Sequence, residues 1–186
     1  MITGSNRGIG KATALGLAKM GARVVMVCRD EQRGKSIMDE IKTKSGNSSI
    51  DLMLADLSSQ SSIRRMTKAF KTKYERLHVL VNNAAVAKAN RTLTSDRIET
   101  TFAVNHLAPF LLTNLLLDML KGSAPARIVN VSSMVHKWGK IDFDNLQGEK
   151  QYHISKAYNQ SKLANVLFTH ELARRLESSG VTVNSC

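Results

Sequence analysis

The sequence is poor in cysteine, proline and plausible metal ligands. It has two cysteines and two prolines among 186 residues. Cys28 lies in an apolar run and Cys186 is the last residue, so no disulfide framework is expected and an intracellular, reducing compartment is predicted. The five histidines show no metal-ligand spacing with each other or with the cysteines, and no metal site is predicted.

Linkers, repeats and low-complexity segments are also missing from residues 1–186. A chain of this length suits a single domain with a sizeable core. A long uninterrupted apolar run is missing as well, because the most apolar stretch, residues 102–120, contains polar residues and a proline. We expect a buried core or interface helix there, not a membrane span. No signal peptide is recognised, and membrane association would then depend on segments outside this sequence.

Acidic residues are scarce relative to basic ones. There are 15 Asp and Glu against 27 Lys and Arg, a formal net charge of +12. Several cations fall on one predicted helix, namely Arg64, Arg65, Lys68, Lys71, Lys73 and Arg76. No aromatic interleaving or recognition motif accompanies them, so we expect a solvated helix face and no nucleic-acid partner. An anionic cofactor or a membrane surface is the partner that the surplus charge favours.

Short, β-branched apolar segments alternate with helical patterns along the whole chain. Strands are predicted at residues 23–28, 50–54, 78–81, 127–131 and 181–183, and helices near 8–20, 31–44, 60–76, 95–120 and 156–178. Alternation of this kind, with nearly continuous apolar strands, predicts an α/β fold. We expect a Rossmann-type doubly wound parallel sheet with helices on both faces.

The first chemical motif is the glycine-rich turn Met1-Ile-Thr-Gly-Ser-Asn-Arg-Gly-Ile-Gly10. It stands between a short apolar stub and a predicted helix. Glycine lets the backbone approach a pyrophosphate closely, and the free N–H groups of a helix start face the anion. A nucleotide site is therefore predicted here, although many strand-to-helix turns need glycine for geometric reasons alone.

Charge at the end of the second strand bears on the choice of cofactor. Arg29 follows that strand and Arg7 lies in the glycine turn. Two guanidinium groups near this corner favour the 2′-phosphate of NADP(H). Asp30 is an acid of the kind that binds a ribose hydroxyl, which keeps NAD(H) as the alternative.

Tyr158 and Lys162 are the candidates for acid–base chemistry. They are four residues apart on a predicted helix with Ser155 as its N-cap, so they share one face. A cation within reach lowers the pKa of a phenol and makes it a better proton carrier near neutral pH.

Tyr152 and Lys156 form a second pair of the same spacing. Six residues correspond to about 240° around a helix, so the two pairs cannot share a face. Tyr152 also precedes the expected cap, in the loop that enters the helix. Spacing within the pair does not by itself decide between them.

Read in order, these motifs resemble those of the short-chain dehydrogenase/reductase family. The resemblance is carried by the glycine turn, Asp56, Asn82-Asn-Ala-Ala85, Asn105, Ser132-Ser133 and Tyr158-Asn-Gln-Ser-Lys162. It covers essentially the whole chain. A narrower similarity, to the retinol dehydrogenase branch, is carried by Cys28-Arg-Asp30, Val104-Asn-His-Leu107, Ser123-Ala-Pro-Ala-Arg-Ile-Val129 and Ser161-Lys-Leu-Ala-Asn-Val-Leu-Phe-Thr169.

The resemblance implies roles for four catalytic residues. Ser133 would hydrogen-bond the substrate oxygen, and Tyr158 would exchange its proton with that oxygen. Lys162 would lower the pKa of Tyr158 and hold the nicotinamide ribose, and Asn105 would hold a water in the proton relay. Family spacing between serine and tyrosine is about two dozen residues, which favours Tyr158 over Tyr152 because 158 − 133 = 25 and 152 − 133 = 19.

The resemblance also implies a set of cofactor contacts. Arg7 and Arg29 would bind the 2′-phosphate, and Asp56 with Leu57 would contact adenine. The phosphates would be held by the glycine turn through Thr3, Gly4, Ser5, Arg7, Gly8, Ile9 and Gly10. The adenosine pocket would be lined by Asn82, Asn83 and Ala84, and the nicotinamide ribose would be contacted by Tyr158 and Lys162.

The expected activity is NADP(H)-dependent hydride transfer to or from a lipophilic, retinoid-like alcohol, aldehyde or ketone. Homodimerisation through residues 102–120 and 156–178 is also expected. Relative to the family pattern the first strand is short and the last strand and substrate-covering segment are absent, so we expect one NAD(P)-binding domain, incomplete at both ends. A non-catalytic nucleotide-binding or interaction module is the alternative. Pro109 departs from the branch, which commonly has His in that position.

Overall fold

The computed structural model describes residues 1–186, whose six strands form one parallel sheet. The strands are β1 (Ile2–Thr3), β2 (Val24–Cys28), β3 (Ile50–Leu54), β4 (Val79–Asn82), β5 (Ala126–Asn130) and β6 (Val181–Ser185). Their order is β3-β2-β1-β4-β5-β6. The direction of progression reverses between β1 and β4, which opens a crevice at the carboxyl ends of these strands.

Helices cover both faces of this sheet. They are α1 (Gly8–Lys19), α2 (Glu31–Ser45), α3 (Gln60–Lys73), α4 (Thr100–Phe102), α5 (Ala108–Gly122) and α6 (Ile154–Arg175). Strand side chains alternate between two cores: Val25 and Val27 join the core that contains residues of α3, α5 and α6, whereas Val24 and Met26 join the core that contains residues of α1 and α2. The predicted Rossmann-type doubly wound sheet is confirmed.

Strand β1 is only two residues long but lies at the centre of the sheet. Ile2 pairs with Met26 of β2 on one side and with Val81 of β4 on the other. The N–H of Gly4 then donates to the Val27 oxygen, which carries the alignment into the glycine turn. The central position places that turn directly at the crevice.

The predicted helix at residues 95–120 is wrong in its first turn and in its continuity. Leu93 and Glu99 form an isolated antiparallel bridge, and helix begins only at Thr100. The buried Glu99 carboxylate accepts hydrogen bonds from the N–H groups of Thr101 and Phe102, which fixes the start. A π-helical turn, Ala103–Leu107, then separates α4 from α5.

Two other helix ends differ from prediction. Helix α6 begins at Ile154, so His153 occupies the N-cap position and Ser155 lies inside the helix. Helix α3 ends at Lys73, before the predicted residue 76, because Tyr74 is extended and its hydroxyl donates to the Asp51 carboxylate.

Residues 100–122 are long and apolar enough, by length and composition alone, to cross a membrane, with a mean hydropathy of 1.3. In the fold, however, Leu112, Leu116 and Leu120 of this segment are at most 1% exposed within the larger core. The segment therefore serves as a core helix, as its polar residues predicted.

Candidate active site

Helix α6 places Tyr158 and Lys162 together at the crevice. The Lys162 Nζ lies 5.5 Å from the centroid of the Tyr158 ring. Although Lys162 is only 2% exposed, its Nζ makes a single protein hydrogen bond, donating to the Val131 oxygen at 2.8 Å. Since an ammonium has three donors, two remain for a ligand beside the half-buried phenol.

Burial dominates the titration of both groups. It lowers the pKa of Lys162 to about 8 and raises the pKa of Tyr158 above its ordinary value. The net pKa of Tyr158 is therefore raised, not lowered as predicted, because burial of the phenol outweighs the nearby Lys162 charge. The Lys162 Nζ lies over the ring face and donates to Val131, with no hydrogen bond to the phenol oxygen.

The segment after β5 carries Ser132 and Ser133 and rests against α6. The Ser132 hydroxyl donates to the main-chain oxygen of Lys162 at 2.9 Å. Ser133 precedes the 3₁₀ turn Met134–Trp138, and its hydroxyl accepts only a long hydrogen bond, 3.4 Å, from the Val135 N–H. The loosely engaged hydroxyl of Ser133 is thus the one of the pair with capacity for a substrate.

This turn is closely packed on the helix. A Cβ added at Gly139 would lie 2.7 Å from the main-chain oxygen of Asn159 and 2.9 Å from the Leu163 Cβ. Glycine is therefore what lets the end of the turn contact α6, next to Tyr158 in sequence.

Asn105 lies in the π-helical turn with its side chain fully engaged. Its Oδ1 accepts from the Val86 N–H at 2.8 Å, while its Nδ2 donates to the Val86 oxygen and to the Ser161 hydroxyl at 2.9 and 3.0 Å. The role of Asn105 as a water holder stays a prediction.

The glycine turn is built for close approach. Gly4 has a φ of +64°, and a Cβ there would lie 2.9 Å from the Ala84 Cα. A Cβ on Gly10 would lie 2.4 Å from the Gly4 oxygen. Because Gly4 and Gly10 have no side chains, the turn can pack closely on itself and on the loop that follows β4, where the strand order reverses.

The start of α1 is open to an anion. Arg7 makes no side-chain cap, and the first turn contains no acidic residue. Gly8 and Ile9 are exposed, and the buried Ser5 hydroxyl has no protein partner. Free N–H groups at a helix start, an unsatisfied hydroxyl and glycine backbone together fit a dinucleotide phosphate.

The two arginines predicted to form a basic corner are both exposed. Neither Arg7 nor Arg29 takes part in a salt bridge. Asp30, the competing acid, is occupied as the N-cap of α2, where its carboxylate accepts the Arg33 N–H at 2.9 Å. Arg7 and Arg29 are therefore free to contact an anionic group of a dinucleotide, and the preference for NADP(H) stays a prediction.

Two of the predicted cofactor residues use their side chains to join β1 to the loop after β4, and their contact with the cofactor stays a prediction. The Thr3 hydroxyl accepts from the N–H groups of Asn83 and Ala84 at 2.9 and 3.1 Å. Asn83 donates back to the Thr3 oxygen at 2.8 Å. These bonds tie β1 to the loop after β4, so the residues shape the crevice.

Asn82, Leu57 and Asp56 lie along the same edge. Asn82 is buried and donates to Thr113 and Asn130, although it lines one crevice with Thr3, Leu57 and Ala84. The Asp56 carboxylate accepts from the N–H and hydroxyl of Ser58 at 2.9 and 2.7 Å. Roles for these three residues in binding adenosine stay predictions.

Tyr152, the tyrosine of the second pair, uses its hydroxyl to hold parts of the protein together. The Tyr152 hydroxyl donates to the Lys88 oxygen at 2.8 Å, and it lies 3.3 Å from the Thr101 hydroxyl. Tyr152 precedes α6, as predicted, and it ties the loop before the helix to the segment after β4.

Sequence reasoning missed the roles of three groups near Tyr158 and Lys162: the Val131 oxygen, and Ser161 and Asn165 on α6 itself. The Ser161 hydroxyl donates to the Tyr158 oxygen at 2.7 Å. The signal available was spacing, since Ser161 and Asn165 follow Tyr158 and Lys162 by three residues each. No group of three or more His, Cys, Asp or Glu residues is arranged to hold a metal ion.

The site combines three features: a parallel sheet with this strand order, an open glycine turn, and a tyrosine next to a buried lysine. Together they indicate a dinucleotide-dependent enzyme fold. The family model for "short chain dehydrogenase" matches residues 1–186. The chain belongs to the short-chain dehydrogenase family.

Within the family the chain is similar to the retinol dehydrogenase branch. It is 53% identical over 185 residues to retinol dehydrogenase 11 of Homo sapiens, covering 100% of this chain and 58% of that protein. It is 47% identical over 186 residues to human retinol dehydrogenase 13, covering 100% of this chain and 56% of the relative. The chain thus spans somewhat more than half the length of these curated relatives.

Solved structures agree with this placement. A protein from Mycobacterium paratuberculosis is 37% identical, with a TM-score of 0.87 over 99% of this chain and 65% of its own. The RhlG/NADP complex of Pseudomonas aeruginosa is 29% identical, with a TM-score of 0.78 over 99% of this chain and 69% of its own. A metagenomic short-chain oxidoreductase in complex with NADP is 28% identical, with a TM-score of 0.80 over 99% and 78%.

Proposed function

We propose that this chain carries the catalytic machinery of an NADP(H)-dependent oxidoreductase acting on a lipophilic alcohol, aldehyde or ketone. The observation that carries the proposal is the buried Lys162, which has two free donors and lies under the Tyr158 ring at a crevice with an open glycine turn. Two NADP complexes among the similar structures support the cofactor class.

The cofactor would be held by groups that have no other partner. Main-chain N–H groups of Gly8 and Ile9 would contact the phosphates, and the guanidinium groups of Arg7 and Arg29 would contact the 2′-phosphate. NADP(H) is proposed over NAD(H) because both guanidinium groups are unpaired and Asp30 is committed to capping α2.

When bound, the nicotinamide supplies the hydride. Ser133 donates to the substrate oxygen and holds it near the phenol. Tyr158 gives its proton to that oxygen during reduction and takes it back during oxidation, so charge on oxygen is stabilised as it develops. Lys162 holds the ribose hydroxyls through its free donors, and its charge stabilises the tyrosinate that remains. A tyrosine whose pKa is raised by burial depends on that nearby cation.

The surface beside Ser133 supports a lipophilic substrate. Met134 and Trp138, on the turn that follows Ser133, are 66% and 71% exposed. Ligand pockets are lined mostly by hydrophobic and aromatic side chains, so these two are suited to contact an apolar substrate. The names of the relatives, retinol dehydrogenases 11 and 13, make a retinoid-like substrate our proposal for this chain.

The direct test combines purified chain, NADPH and a panel containing retinaldehyde, medium-chain aldehydes and a simple ketone. We expect NADPH oxidation that depends on the aldehyde, with a preference for NADPH over NADH that falls in the Arg29→Ala variant. NADPH binding by soluble protein without turnover of any compound would instead support a non-catalytic nucleotide-binding module.

We also propose that two copies associate through α5 and α6. Phe110 and Leu167 are 47% and 53% exposed on these helices, and the Phe110 ring lies 5.2 Å from that of Phe168. Exposed aromatic and aliphatic side chains on neighbouring helices are typical of a self-complementary interface.

We also propose association with a membrane surface, on the ground of the net positive charge alone. Sedimentation with anionic vesicles tests it.

A further inference from the structure

The main-chain oxygen of Asn105 has an unusual donor. In an α-helix that oxygen would accept from the residue four positions later, but this is Pro109, which has no N–H. The side-chain amide of Asn165, on α6, donates to it at 2.8 Å. Asn105 and Asn165 are 1% and 2% exposed.

The orientation of the Asn165 side chain is forced by its partners. A carbonyl oxygen only accepts, so the amide nitrogen faces Asn105 and Oδ1 faces the Nδ1 of His106, 3.1 Å away. His106 therefore carries its proton on Nδ1, and burial lowers its pKa, which favours the neutral ring. The nitrogen and the oxygen of the Asn165 side-chain amide thus bind two consecutive residues of the π-helical turn, Asn105 and His106.

Asn105 passes this attachment on to both sides of the crevice. Its side chain holds the N–H and oxygen of Val86 in the loop after β4, and it donates to Ser161. Ser161 in turn donates to the main-chain oxygen of Tyr158. A continuous hydrogen-bonded chain therefore links Asn165, the turn, the loop after β4 and the catalytic tyrosine.

We propose that Asn165 is a positioning residue, whose amide replaces the donor that Pro109 lacks and so fixes Asn105 between the loop after β4 and the catalytic helix. It acts through Asn105 and touches neither substrate nor cofactor. Only its kinetic consequence rests on the proposed function, because the hydrogen-bonded chain is present whether or not the protein turns over.

The test uses the Asn165→Ala variant, which removes the donor. Hydrogen exchange at the Val86 amide, followed by NMR, reports on Asn105 without requiring activity. Losing one buried hydrogen bond is typically a several-fold effect, and we expect exchange at Val86 to accelerate by roughly fivefold. For active protein, kcat should fall by a similar factor while NADPH affinity changes by less.

The matched control is Thr169→Val on the same buried helix face. It removes the hydrogen bonds from the Thr169 hydroxyl to the Asn165 main chain and from Asn130 to that hydroxyl, but leaves the donor to Asn105 in place. We expect Val86 exchange to stay within about twofold of wild type.

A rescue experiment separates positioning from general loss of stability. Pro109→Ala in the Asn165→Ala background supplies a main-chain N–H at residue 109, which would donate to the Asn105 oxygen if this turn became α-helical. We expect it to restore most of the Val86 protection, although it cannot replace the lost bond to His106. Unchanged Val86 exchange in Asn165→Ala, or no rescue by Pro109→Ala, overturns the proposal. Absence of turnover in wild type would refute the proposed function and leave this result standing.

Discussion

At the scale of single residues, the site depends on a cation that the fold barely solvates. Lys162 is 2% exposed and has one protein hydrogen bond, so its charge is maintained at a cost. A buried ammonium with free donors suits a site that receives polar hydroxyls from a ligand. The neighbouring phenol is likewise tuned by burial, which raises its pKa.

The tyrosine assignment is tested by two parallel substitutions. Tyr158→Phe removes the hydroxyl that we propose transfers the proton, and we expect kcat to fall by roughly 10²- to 10⁴-fold with little change in stability. Tyr152→Phe removes a hydroxyl that binds the Lys88 oxygen, so it should lower the free energy of unfolding by about 1 kcal/mol and leave kcat within a few-fold. NADPH oxidation with excess aldehyde measures both. Equal losses of activity would contradict the assignment.

The low pKa of Lys162 also predicts how stability changes with pH. Because its folded-state pKa, about 8, lies below that of the unfolded chain, the unfolded state binds more protons between the two values. Stability from this group therefore rises as pH increases from about 8 to about 10.4, by roughly 3 kcal/mol at most. Below pH 8 both states are charged and the desolvation penalty is present in full.

Chemical denaturation of cofactor-free protein across this range measures the effect. Lys162→Met should flatten the rise, whereas Lys156→Met, at an exposed position of the same helix, should leave it intact. An identical pH dependence in wild type and Lys162→Met would show that the lysine titrates normally.

Residue types and spacing predicted which positions meet at the crevice, but not where every side chain points. Thr3, Asn82 and Asn83 were predicted as cofactor contacts, and this stays a prediction; most of their polar side-chain atoms bind protein atoms, whereas the buried Asn82 Oδ1 has no partner. A short motif predicts that a residue lies at the end of a strand. Whether a polar side chain faces the ligand or the neighbouring loop depends on partners far away in sequence.

At the scale of elements, the glycine turn depends on contact between two loops. Gly10→Ala would place a Cβ 2.4 Å from the Gly4 oxygen and 2.5 Å from the Asn83 Nδ2, so backbone must move. We expect a loss of about 1–3 kcal/mol in the free energy of unfolding and weaker NADPH binding. Gly16→Ala, on the same helix with open space around it, should instead gain up to about 1 kcal/mol.

Urea titration and NADPH fluorescence distinguish these outcomes. If Gly10→Ala bound NADPH as tightly as Gly16→Ala did, close contact between the turn and the loop after β4 would not matter for the cofactor. Equal stabilities would contradict the packing argument directly.

Helix interiors were predicted better than helix ends. Apolar periodicity located α1, α2, α3, α5 and α6, because buried faces dominate the pattern. It could not locate the π-helical turn, since that turn follows from Pro109, Asn105 and a distant amide on α6. The helix start at Thr100 similarly depends on Glu99, whose capping role is set by burial.

At the scale of the whole molecule, alternation of strands and helices was sufficient to predict a parallel sheet covered on both faces. Connections of this kind are right-handed and short, which leaves few topologies for such a pattern. The strand order places β1 and β4 side by side, so the motifs near residues 4 and 83 meet although they are far apart in sequence. Association of two copies, by contrast, depends on how well their surfaces fit together, which the apolar periodicity of the sequence does not predict.

Association through α5 and α6 is the prediction at this scale. Phe110→Glu places a charge where 47% of an aromatic side chain is exposed beside Phe168, and we expect the dimer dissociation constant to rise at least tenfold. Phe143→Glu is the matched control, because Phe143 is 84% exposed but lies on neither helix. Sedimentation velocity over a range of concentrations measures both variants. A wild-type protein that stays monomeric at tens of micromolar would refute the dimer. A dimer weakened equally by both substitutions would place the contact elsewhere, because only Phe110 lies on the α5–α6 surface.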